Sequence, residues 1–266
     1  MQDCEAYGMR ITVLLENTAA SSDMEVEHGL SLFIETETKT ILFDMGQTDL
    51  FARNAGKLGC DLSRVEAAVL SHGHYDHGGG LERFLEINSH APVYLSPYAF
   101  EPHYNGSDKY IGLDTAMAGN GRLILTEDTQ NIGEGMTLYA CREKHCPHSL
   151  GTFGLQMEQD GVLVPDDFRH EQYLLVEEGG RRVLFSGCSH RGILDITEWF
   201  RPDVLIGGFH VSKMAPGTEL DTVADTLNRY DTEFYTCHCT GVEQFAYLAE
   251  RMPHVHYLAC GDTLVL

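Results

Sequence analysis

The segment from Ser71 to Gly80 carries the densest group of potential metal ligands in the sequence. Four of its side chains, within six consecutive positions, can bind a metal: His72, His74, Asp76 and His77. An apolar, β-prone stretch precedes the segment at 65–70 and helical periodicity follows it at 81–87, so we expect a loop between a strand and a helix. In a tight turn the first two histidines can reach one cation, while the aspartate and the third histidine face a second. The pattern predicts half of a two-metal site.

Three later segments with strand character each run into a histidine. The strands are expected at 181–186, 203–206 and 233–236, and the histidines that follow them are His190, His210 and His238. Helical patterns lie between them, so the ends of these strands can converge on one edge of a sheet. We therefore expect His190 and His238 to be metal ligands, and Asp76 and His210 to be catalytic. For His210, direct ligation, support of a ligand and contact with substrate all stay open.

The composition favours a single globular domain and opposes nucleic acid as a partner. A chain of 266 residues with 43% apolar content can bury the core of one α/β domain, with or without a modest insertion. The formal charge of −22, from 40 acidic and 18 basic residues, opposes binding to phosphate backbones, which need clustered Lys and Arg. We therefore expect no nucleic acid partner, and the oligomeric state stays open.

Neither a secretion signal nor a membrane span is predicted. The first residues, Met1 to Glu5, lack the basic stretch followed by an apolar stretch that is typical of a secretion signal. No apolar run approaches about 18 residues, the length that a membrane span needs. We therefore expect a cytoplasmic protein that does not bind a membrane. The eight cysteines are scattered through a chain too long for a small disulfide scaffold, so reduced thiols are expected.

The sequence predicts one α/β domain over 1–266 that opens as a β-meander and continues with alternating strands and helices. Three strand candidates form the meander and two shorter ones lie in a looser region: 10–15, 30–35, 40–43, 122–126 and 136–140. The third strand ends at a turn that begins with Asp44. From about 96 to 169 the pattern loosens into Gly, Asn, Asp and aromatic residues, and we interpret that stretch as an inserted region or lid.

The arrangement His-x-His-x-Asp-His in the loop resembles the metallo-β-lactamase superfamily, and the resemblance spans nearly the whole chain. It implies a four-layered αββα sandwich with a binuclear metal site at one edge. The resemblance implies three ligands for each metal: His72, His74 and His190 for the first, and Asp76, His77 and His238 for the second. Asp44 matches a position that supports the site.

One position departs from many hydrolases of that superfamily. They place a metal-bridging aspartate after the strand that here ends in the sequence Gly-Gly-Phe-His at 207–210. His210 stands at or near that place, and a neutral imidazole cannot bridge two cations as a carboxylate does. We therefore expect the second metal to bind more weakly than the first.

Further segments extend the match to a narrower group. They are Asn17-Thr18, His28-Gly29-Leu30-Ser31, Phe43-Asp44, Gly46-Gln47, Gly187-Cys188-Ser189-His190-Arg191-Gly192, Gly208-Phe209-His210 and His238-Cys239-Thr240-Gly241. Together they resemble the 7,8-dihydropterin-6-methyl-4-(β-D-ribofuranosyl)aminobenzene 5'-phosphate synthase type. This resemblance implies the architecture more firmly than the substrate.

The predicted centre has a definite chemistry. Two divalent metal ions held by six ligands, of which only Asp76 is anionic, leave a strongly cationic pocket that lowers the pKa of a bound water. A metal-bound hydroxide is then the expected nucleophile, with the metals polarising a carbonyl or phosphoryl oxygen of a small anionic, phosphorylated or pterin-like substrate. Imidazole ligation without thiolates suits Zn²⁺, Fe²⁺ or Mn²⁺, and we expect zinc. The predicted function is a metal-dependent hydrolase, or a transferase that releases phosphate or pyrophosphate.

Two other functions stay open. The same fold hosts di-iron enzymes that act on oxygen or nitric oxide, but these usually place Glu where this chain has His74 and carry a flavin-binding module, and neither feature is present. The second alternative is a non-catalytic protein that keeps the metal ligands and binds a small molecule.

Some residues near these motifs have simpler interpretations. Strand alternation predicts that Cys237 and Cys239 point away from His238 as small buried side chains, and the same is expected of Cys188. A group of ring side chains in the inserted region either lines a substrate pocket or forms the region's own small core: Tyr98, Phe100, His103, Tyr104 and Tyr110.

Overall fold

The computed structural model describes residues 8–266. The expectation of no secretion signal rests on Met1 to Glu5, which lie outside the described residues. The strands are β1 (Arg10–Leu15), β2 (Ser31–Glu35), β3 (Thr40–Phe43), β4 (Ala67–Val69), β5 (Val93–Leu95), β6 (His103–Asn105), β7 (Lys109–Tyr110), β8 (Leu123–Leu125), β9 (Thr129–Gly133), β10 (Met136–Tyr139), β11 (Leu155–Gln159), β12 (Val162–Pro165), β13 (Tyr173–Glu178), β14 (Arg181–Gly187), β15 (Val204–Gly207), β16 (Glu233–Thr236), β17 (Val255–Tyr257) and β18 (Thr263–Val265). The helices are α1 (Leu50–Leu58), α2 (Tyr75–Gly78), α3 (Leu81–Ile87), α4 (Ile193–Phe200), α5 (Thr218–Leu227) and α6 (Val242–Ala249). None of these described helices is long and apolar enough to cross a membrane.

Two seven-stranded sheets form the body of the molecule, and each is antiparallel at one end and parallel at the other. The first has the order β18-β1-β2-β3-β4-β5-β8, and pairing becomes parallel from β3 onward. The second has the order β17-β16-β15-β14-β13-β10-β9, and its four strands from β14 to β17 are parallel. Neighbouring parallel strands end on the same edge of a sheet. The histidines predicted to follow β14, β15 and β16 therefore come to one edge.

The strand sequences alternate between two buried faces. In β2, Leu32 lies in the core between the two sheets, while Phe33 packs with the helices outside. In β14, Phe185 likewise lies between the two sheets, while Leu184 packs with the helices outside. Because both faces are covered, these strands are apolar along almost their whole length. Full burial of one such side chain contributes about 1.5–3 kcal/mol relative to leaving it exposed.

Helices cover the outer face of each sheet. The apolar sides of α1 and α3 pack with residues of β1 to β5 in one cluster, and those of α4, α5 and α6 pack with residues of β13 to β16 in another. The layers are therefore helix, sheet, sheet and helix. The four-layered αββα sandwich implied by the resemblance is confirmed.

The region from 96 to 169 divides between the sandwich and a separate small sheet. Its strand β8 joins the first main sheet, and β9 and β10 join the second. The strands expected at 122–126 and 136–140 correspond to β8 and β10. The remaining strands form a four-stranded antiparallel sheet of their own in the order β12-β11-β6-β7. Among residues 8–266, only this four-stranded sheet is separate from the two main sheets.

Candidate metal centre

The loop after β4 is held by the buried carboxylate of Asp44. Its Oδ1 accepts from the backbone N–H of Ser71 at 2.7 Å, and its Oδ2 accepts from the Ser71 hydroxyl at 2.7 Å and from His77 Nδ1 at 2.6 Å. The Ser71 oxygen, which donates its own proton to Asp44, accepts from His72 Nδ1 at 2.8 Å. Both histidines therefore carry a proton on Nδ1, which leaves Nε2 as the metal-binding position of each ring. Asp44 sets the tautomer of one predicted ligand at each metal.

The first-metal group consists of His72, His74 and His190. The Nε2 atoms of His72 and His190 are 3.2 Å apart, and one ring nitrogen of each of the three residues lies within 4.8 Å of the others. His74 occupies the N-cap position of α2, and the backbone N–H of His190 donates to the buried Glu171 carboxylate at 2.7 Å. None of the three histidines is more than 5% exposed. This group is therefore almost closed to solvent.

The second-metal group consists of Asp76, His77 and His238. His238 Nε2 lies 3.3 Å from His77 Nε2 and 3.3 Å from Asp76 Oδ2. The side-chain oxygen of Asn17 accepts from the backbone N–H of Gly29 at 3.2 Å and from His238 Nδ1 at 2.8 Å. His238 therefore carries its proton on Nδ1 and turns the Nε2 lone pair toward His77. The structure thus brings all six predicted ligands into two adjoining groups.

The geometry of both groups fits divalent metal ions. In the second group the Nε2 atoms of His77 and His238, whose Nδ1 atoms are engaged by Asp44 and Asn17, face each other at 3.3 Å, a spacing that suits a cation held by both. In the first group His72 presents its lone pair to His190 Nε2 at 3.2 Å. A tetrahedral ion with metal–nitrogen bonds of about 2.0–2.1 Å separates its ligand nitrogens by roughly 3.3 Å. Both separations match that value.

The protonation states also suit metal binding. Burial, and then the neighbouring imidazoles, lower the pKa of His72, His74 and His190 well below the ordinary value. Burial acts to raise the pKa of Asp76, but the surrounding histidines, His77 first among them, hold it well below its usual range. Burial acts to lower the pKa of His77, but Asp44 and Asp76 raise it above the ordinary value, so a metal at this ring would displace a proton. The first-metal group therefore has neutral imidazoles and the second has a carboxylate that ionises readily, and these are the forms that bind metals.

His210, predicted as a catalytic residue, lies beside the first-metal group. Its ring centroid is 4.2 Å from that of His190, and its backbone adopts a left-handed conformation with φ of 54°. Within residues 8–266 neither of its ring nitrogens has a hydrogen-bond partner. The side chain also lines a cavity at the site. A ring whose two nitrogens lack hydrogen-bond partners, in the wall of a cavity, is suited to contact a molecule that enters that cavity.

Two of the cysteines predicted to be small buried side chains, Cys188 and Cys239, are buried, and both also lie beside the site. Cys188 Sγ is 3.2 Å from His77 Nε2, and Cys239 Sγ lies within 4.8 Å of Cys188 Sγ and of a ring nitrogen of His210. The prediction assumed strand alternation, but Cys188 follows the end of β14 and Cys239 lies in the 3-10 turn after β16. Beyond a strand end the side chains no longer alternate. Cys237 is fully buried between the sheets, as predicted.

Some residues that contact the second-metal group received no role from sequence reasoning. His28 Nε2 lies 3.2 Å from Asp76 Oδ2, and 55% of its side chain is exposed. Glu16 accepts from the backbone N–H of His238 at 2.6 Å, next to the contact made by Asn17. Asn17 and His28 belong to segments that match the narrower family group, so their place in those motifs was the available signal.

A cavity of about 170 Å³ opens onto both metal groups. One wall is formed by ligand histidines and His210, and the opposite wall by residues from β6, β7, β11 and the chain beside them: Asn105, Lys109, Ile111 and Leu155. None of the five ring side chains singled out in the inserted region lines this cavity in the described part of the chain. His103 is fully buried, so for it the interpretation as part of an internal core applies.

Comparison with curated proteins gives two relatives of similar length. An uncharacterised protein of Methanocaldococcus jannaschii is 27% identical over 255 residues, which span 90% of this chain and 94% of that protein. From the same organism, 7,8-dihydropterin-6-methyl-4-(β-D-ribofuranosyl)-aminobenzene-5'-phosphate synthase is 27% identical over 263 residues, spanning 88% of each chain.

Solved structures and a family model agree on the fold. The crystal structure of Tm1679, a metal-dependent hydrolase of the β-lactamase superfamily, has a TM-score of 0.84 at 30% identity and covers 97% of this chain and 99% of that one. Zn²⁺-bound PqqB from Methylobacterium extorquens has a TM-score of 0.58 at 14% identity, covering 97% and 100%, which shows the fold alone. The model of the metallo-β-lactamase superfamily matches residues 24–227, more than half of the chain. The chain therefore belongs to the metallo-β-lactamase superfamily.

Proposed function

We propose that this protein is a binuclear metallohydrolase, or a metal-dependent transferase that releases phosphate or pyrophosphate, acting on a small anionic molecule. The observation that carries the proposal is the facing pair of Nε2 atoms on His77 and His238 at 3.3 Å, next to a similarly spaced pair on His72 and His190 at 3.2 Å. Two such pairs side by side, with the ionised carboxylate of Asp76, are the donor set of a two-ion hydrolytic centre.

The proposed ligands are the two groups defined above, with His72, His74 and His190 for one ion and Asp76, His77 and His238 for the other. Imidazole and carboxylate donors suit Zn²⁺, with Fe²⁺ and Mn²⁺ as alternatives. Divalent ions at this centre polarise a phosphoryl or carbonyl oxygen and activate water for attack. The absence of a bridging carboxylate at 207–210 supports weaker binding at the second position.

The protein's own groups orient the ligands and handle protons. Asp44 holds the loop and fixes the tautomers of His72 and His77 through its hydrogen bonds. His210 faces the cavity and is placed to donate a hydrogen bond to a substrate oxygen or to the leaving group. His28, more than half exposed and 3.2 Å from Asp76 Oδ2, is the group at the rim that can exchange a proton with solvent.

Two lysines at the cavity favour a substrate that carries negative charge. Lys109 and Lys213 both line the cavity, in a chain whose formal charge is −22. Lys109 Nζ lies 3.5 Å from the Tyr75 hydroxyl, and Lys213 Nζ donates to the Phe153 carbonyl at 2.7 Å. With metal ions bound, these ions and the two ammonium groups would make the cavity more positive than the rest of the acidic surface. A phosphate or carboxylate is the group that such a cavity attracts.

The size of the cavity favours a small substrate. Its volume of about 170 Å³ is below the range of about 300–1,000 Å³ found for pockets that enclose drug-sized ligands. A bulky pterin conjugate, such as the name of one 27% identical relative implies, would leave most of its surface outside. We therefore place a hydrolase acting on a small phosphorylated or carboxylated molecule ahead of the pterin-linked transferase.

The test is metal content per chain, by inductively coupled plasma mass spectrometry, of protein purified without chelator, paired with hydrolysis of generic phosphodiester and ester substrates. We expect about two zinc ions per chain, and turnover that chelation removes and zinc restores. A His90→Ala variant, changed at an exposed histidine, controls for loss of a surface imidazole. Two irons without hydrolysis would support the redox alternative instead, and wild-type protein that binds no metal would contradict the proposal.

A further inference from the structure

A second set of buried titratable side chains adjoins His74 and has no part in the reaction proposed above. It consists of His103 on β6, Asp166 just after β12, and His170, and is called here the rear cluster. Its members are at most 3% exposed, and one ligand atom of each lies within 4.8 Å of the others and of a ring nitrogen of His74. Together with His74 these residues make three imidazoles and a carboxylate, the composition of a metal site, so the positions of their protons decide what the cluster does.

His170 has a fixed tautomer. Its Nδ1 accepts a hydrogen bond from the backbone N–H of Gly73 at 2.9 Å. A backbone amide can only donate, so Nδ1 holds the lone pair and Nε2 holds the proton. That proton faces Asp166, whose Oδ2 lies 3.4 Å from His170 Nε2. Neither nitrogen of His170 therefore has a lone pair free for a metal.

Asp166 is engaged as an acceptor on both oxygens. Its Oδ1 accepts from the backbone N–H of Phe168 at 2.8 Å, and its Oδ2 lies 2.8 Å from His103 Nδ1. Because the same Oδ2 also faces the Nε2 proton of His170, it is an acceptor, and His103 Nδ1 donates to it. When the His103 ring has one proton, that proton is on Nδ1 and the lone pair is on Nε2.

Apart from His170 Nε2, whose proton faces Asp166, two further ring nitrogens of this part of the described chain lack a hydrogen-bond partner, and they complement each other. His103 Nε2 and His74 Nε2 are both buried, and no residue from 8 to 266 gives either a hydrogen-bond partner. The two rings meet edge to face with centroids 5.5 Å apart. His103 Nε2 offers a lone pair, and His74 Nε2 carries a proton whenever that ring binds a metal through Nδ1.

We propose that His103, backed by Asp166, is a positioning residue for the first metal. It accepts the Nε2–H of His74 and so turns the Nδ1 lone pair of His74 toward the ion. A ligating histidine commonly donates its other N–H to an acceptor that fixes the orientation of the ring and raises its basicity. This inference rests on the proposed metal centre, and it gives the region from 96 to 169 a role at that centre.

A third metal ion in the rear cluster is the competing interpretation, and the protons argue against it. Structural and catalytic sites bind zinc through three or four lone pairs from the protein. In the rear cluster His170 has no free lone pair, because Nδ1 accepts from Gly73 and Nε2 carries the proton. Both oxygens of Asp166 already accept a hydrogen bond, so an ion there would have the Nε2 of His103 and at most one carboxylate as donors.

The residues from His170 to Gln172 also hold the backbone of the loop from Ser71 to Gly80. His170 accepts from Gly73, which lies between two predicted ligands, and the backbone N–H of Gln172 donates to the Ser71 carbonyl at 2.8 Å. A Cβ on Gly73 would collide with the backbone of Ala99, so the loop packs against Ala99 only when residue 73 has no side chain. The rear cluster therefore holds both the backbone and one ring of the first-metal group.

The test is the zinc affinity of each site, measured by chelator competition on the whole chain, for His103→Leu and His103→Gln. Loss of a residue that orients a metal ligand costs about 10- to 100-fold in metal affinity. We expect His103→Leu to weaken the first site by that factor and to leave the second unchanged. His103→Gln should keep most of the affinity, because its amide oxygen can accept the same proton.

Two controls separate positioning from general damage. Asn17→Ala removes the acceptor of the His238 Nδ1 proton and should weaken the second site alone. In zinc-loaded wild-type protein, a two-bond ¹H–¹⁵N correlation spectrum should show His103 protonated on Nδ1 and His74 protonated on Nε2, a result that does not depend on any variant folding.

Three outcomes would overturn the inference. Unchanged zinc affinity at both sites in folded His103→Leu protein would remove the positioning role and leave the metal centre standing. A third zinc per chain that disappears in His103→Leu would assign the rear cluster to metal ligation. Wild-type protein that binds no zinc would contradict both this inference and the proposed function.

Discussion

The two metal groups share one loop but are supported by different parts of the chain. The ligands of both groups are at most 8% exposed, but the residues around them differ. The first-metal group adjoins the buried rear cluster and is called here the closed group. The second-metal group is held by Glu16 and Asn17, which follow β1, and it touches His28, whose side chain is 55% exposed, so it is called the open group. Two adjoining cation sites therefore differ in the exposure of their neighbours and in the elements that orient their ligands.

This difference implies a division of roles between the two ions. The closed group has three imidazoles, each with little freedom to move, so it should bind its ion tightly. The open group has the only anionic ligand, Asp76, and no bridging carboxylate, and it lies against the exposed rim of the cavity. We expect its ion to exchange more readily and to sit closer to the solvent-exposed part of the substrate.

The largest expected effect comes from removing one ligand of each group. His72→Ala should eliminate the first ion and reduce turnover below detection, because His72 faces His190 at the closed site and is also held by Ser71. His238→Ala should remove the second ion and keep the first. Metal content and hydrolysis rate of the two variants, measured in parallel, check the difference. If His238→Ala lost both ions, the two groups would be one cooperative site and the comparison would fail.

Asp44→Asn should disturb both groups at once, because Asp44 holds Ser71 and His77 together. Asparagine tolerates the φ of 59° at this position, so the effect will come from the lost hydrogen bonds and not from the backbone. Leaving buried hydrogen-bond donors without their acceptor costs about 1–3 kcal/mol of unfolding free energy. Urea unfolding of the metal-free protein measures it, with Asp23→Asn, at an exposed position, as the control. A change below about 1 kcal/mol would show that Asp44 acts only on the metals.

The main sheets could be predicted from the sequence because their strands are apolar on both faces. The meander of β1, β2 and β3 falls within one residue of its expected bounds. The division of the region from 96 to 169 could not be predicted in the same way. Its strand β8 is short and mostly exposed, and what places it is pairing with β5, nearly thirty residues earlier. Such pairing depends on tertiary contacts and not on local pattern.

Part of the candidate site follows from local sequence and part does not. The ligands on the loop lie within six positions, and His190 and His238 follow predicted strands, so their types and places suggest chemistry directly. The residues that fix tautomers give no such signal, because their partners are distant in sequence. His103 and Asp166, for example, are 63 residues apart and meet only through the small sheet and the chain that follows it.

The next prediction concerns His210, which lies beside the closed group but faces the cavity. His210→Asn keeps a residue that tolerates the left-handed φ of 54° and removes the imidazole. We expect both zinc ions to stay bound and kcat to fall by about 10²–10⁴-fold, the range for loss of a group that transfers a proton. Steady-state kinetics with parallel metal analysis checks this. Loss of the second ion instead would make His210 a ligand and would extend the open group to β15.

The smallest expected effect concerns the rim of the cavity. Lys109 and Lys213 are exposed, so each should contribute modestly to binding an anion and should do so less at high salt. Lys109→Gln and Lys213→Gln should raise KM for an anionic phosphodiester by about 3- to 10-fold and leave KM for a neutral ester unchanged, because only the charged substrate loses an ion pair. Lys144→Gln, at an exposed position away from the cavity, is the matched control. Equal loss with both substrates would mean that these lysines shape the rim and do not select the anion, and the open side of the site would then owe its preference for negative charge to the metal ions alone.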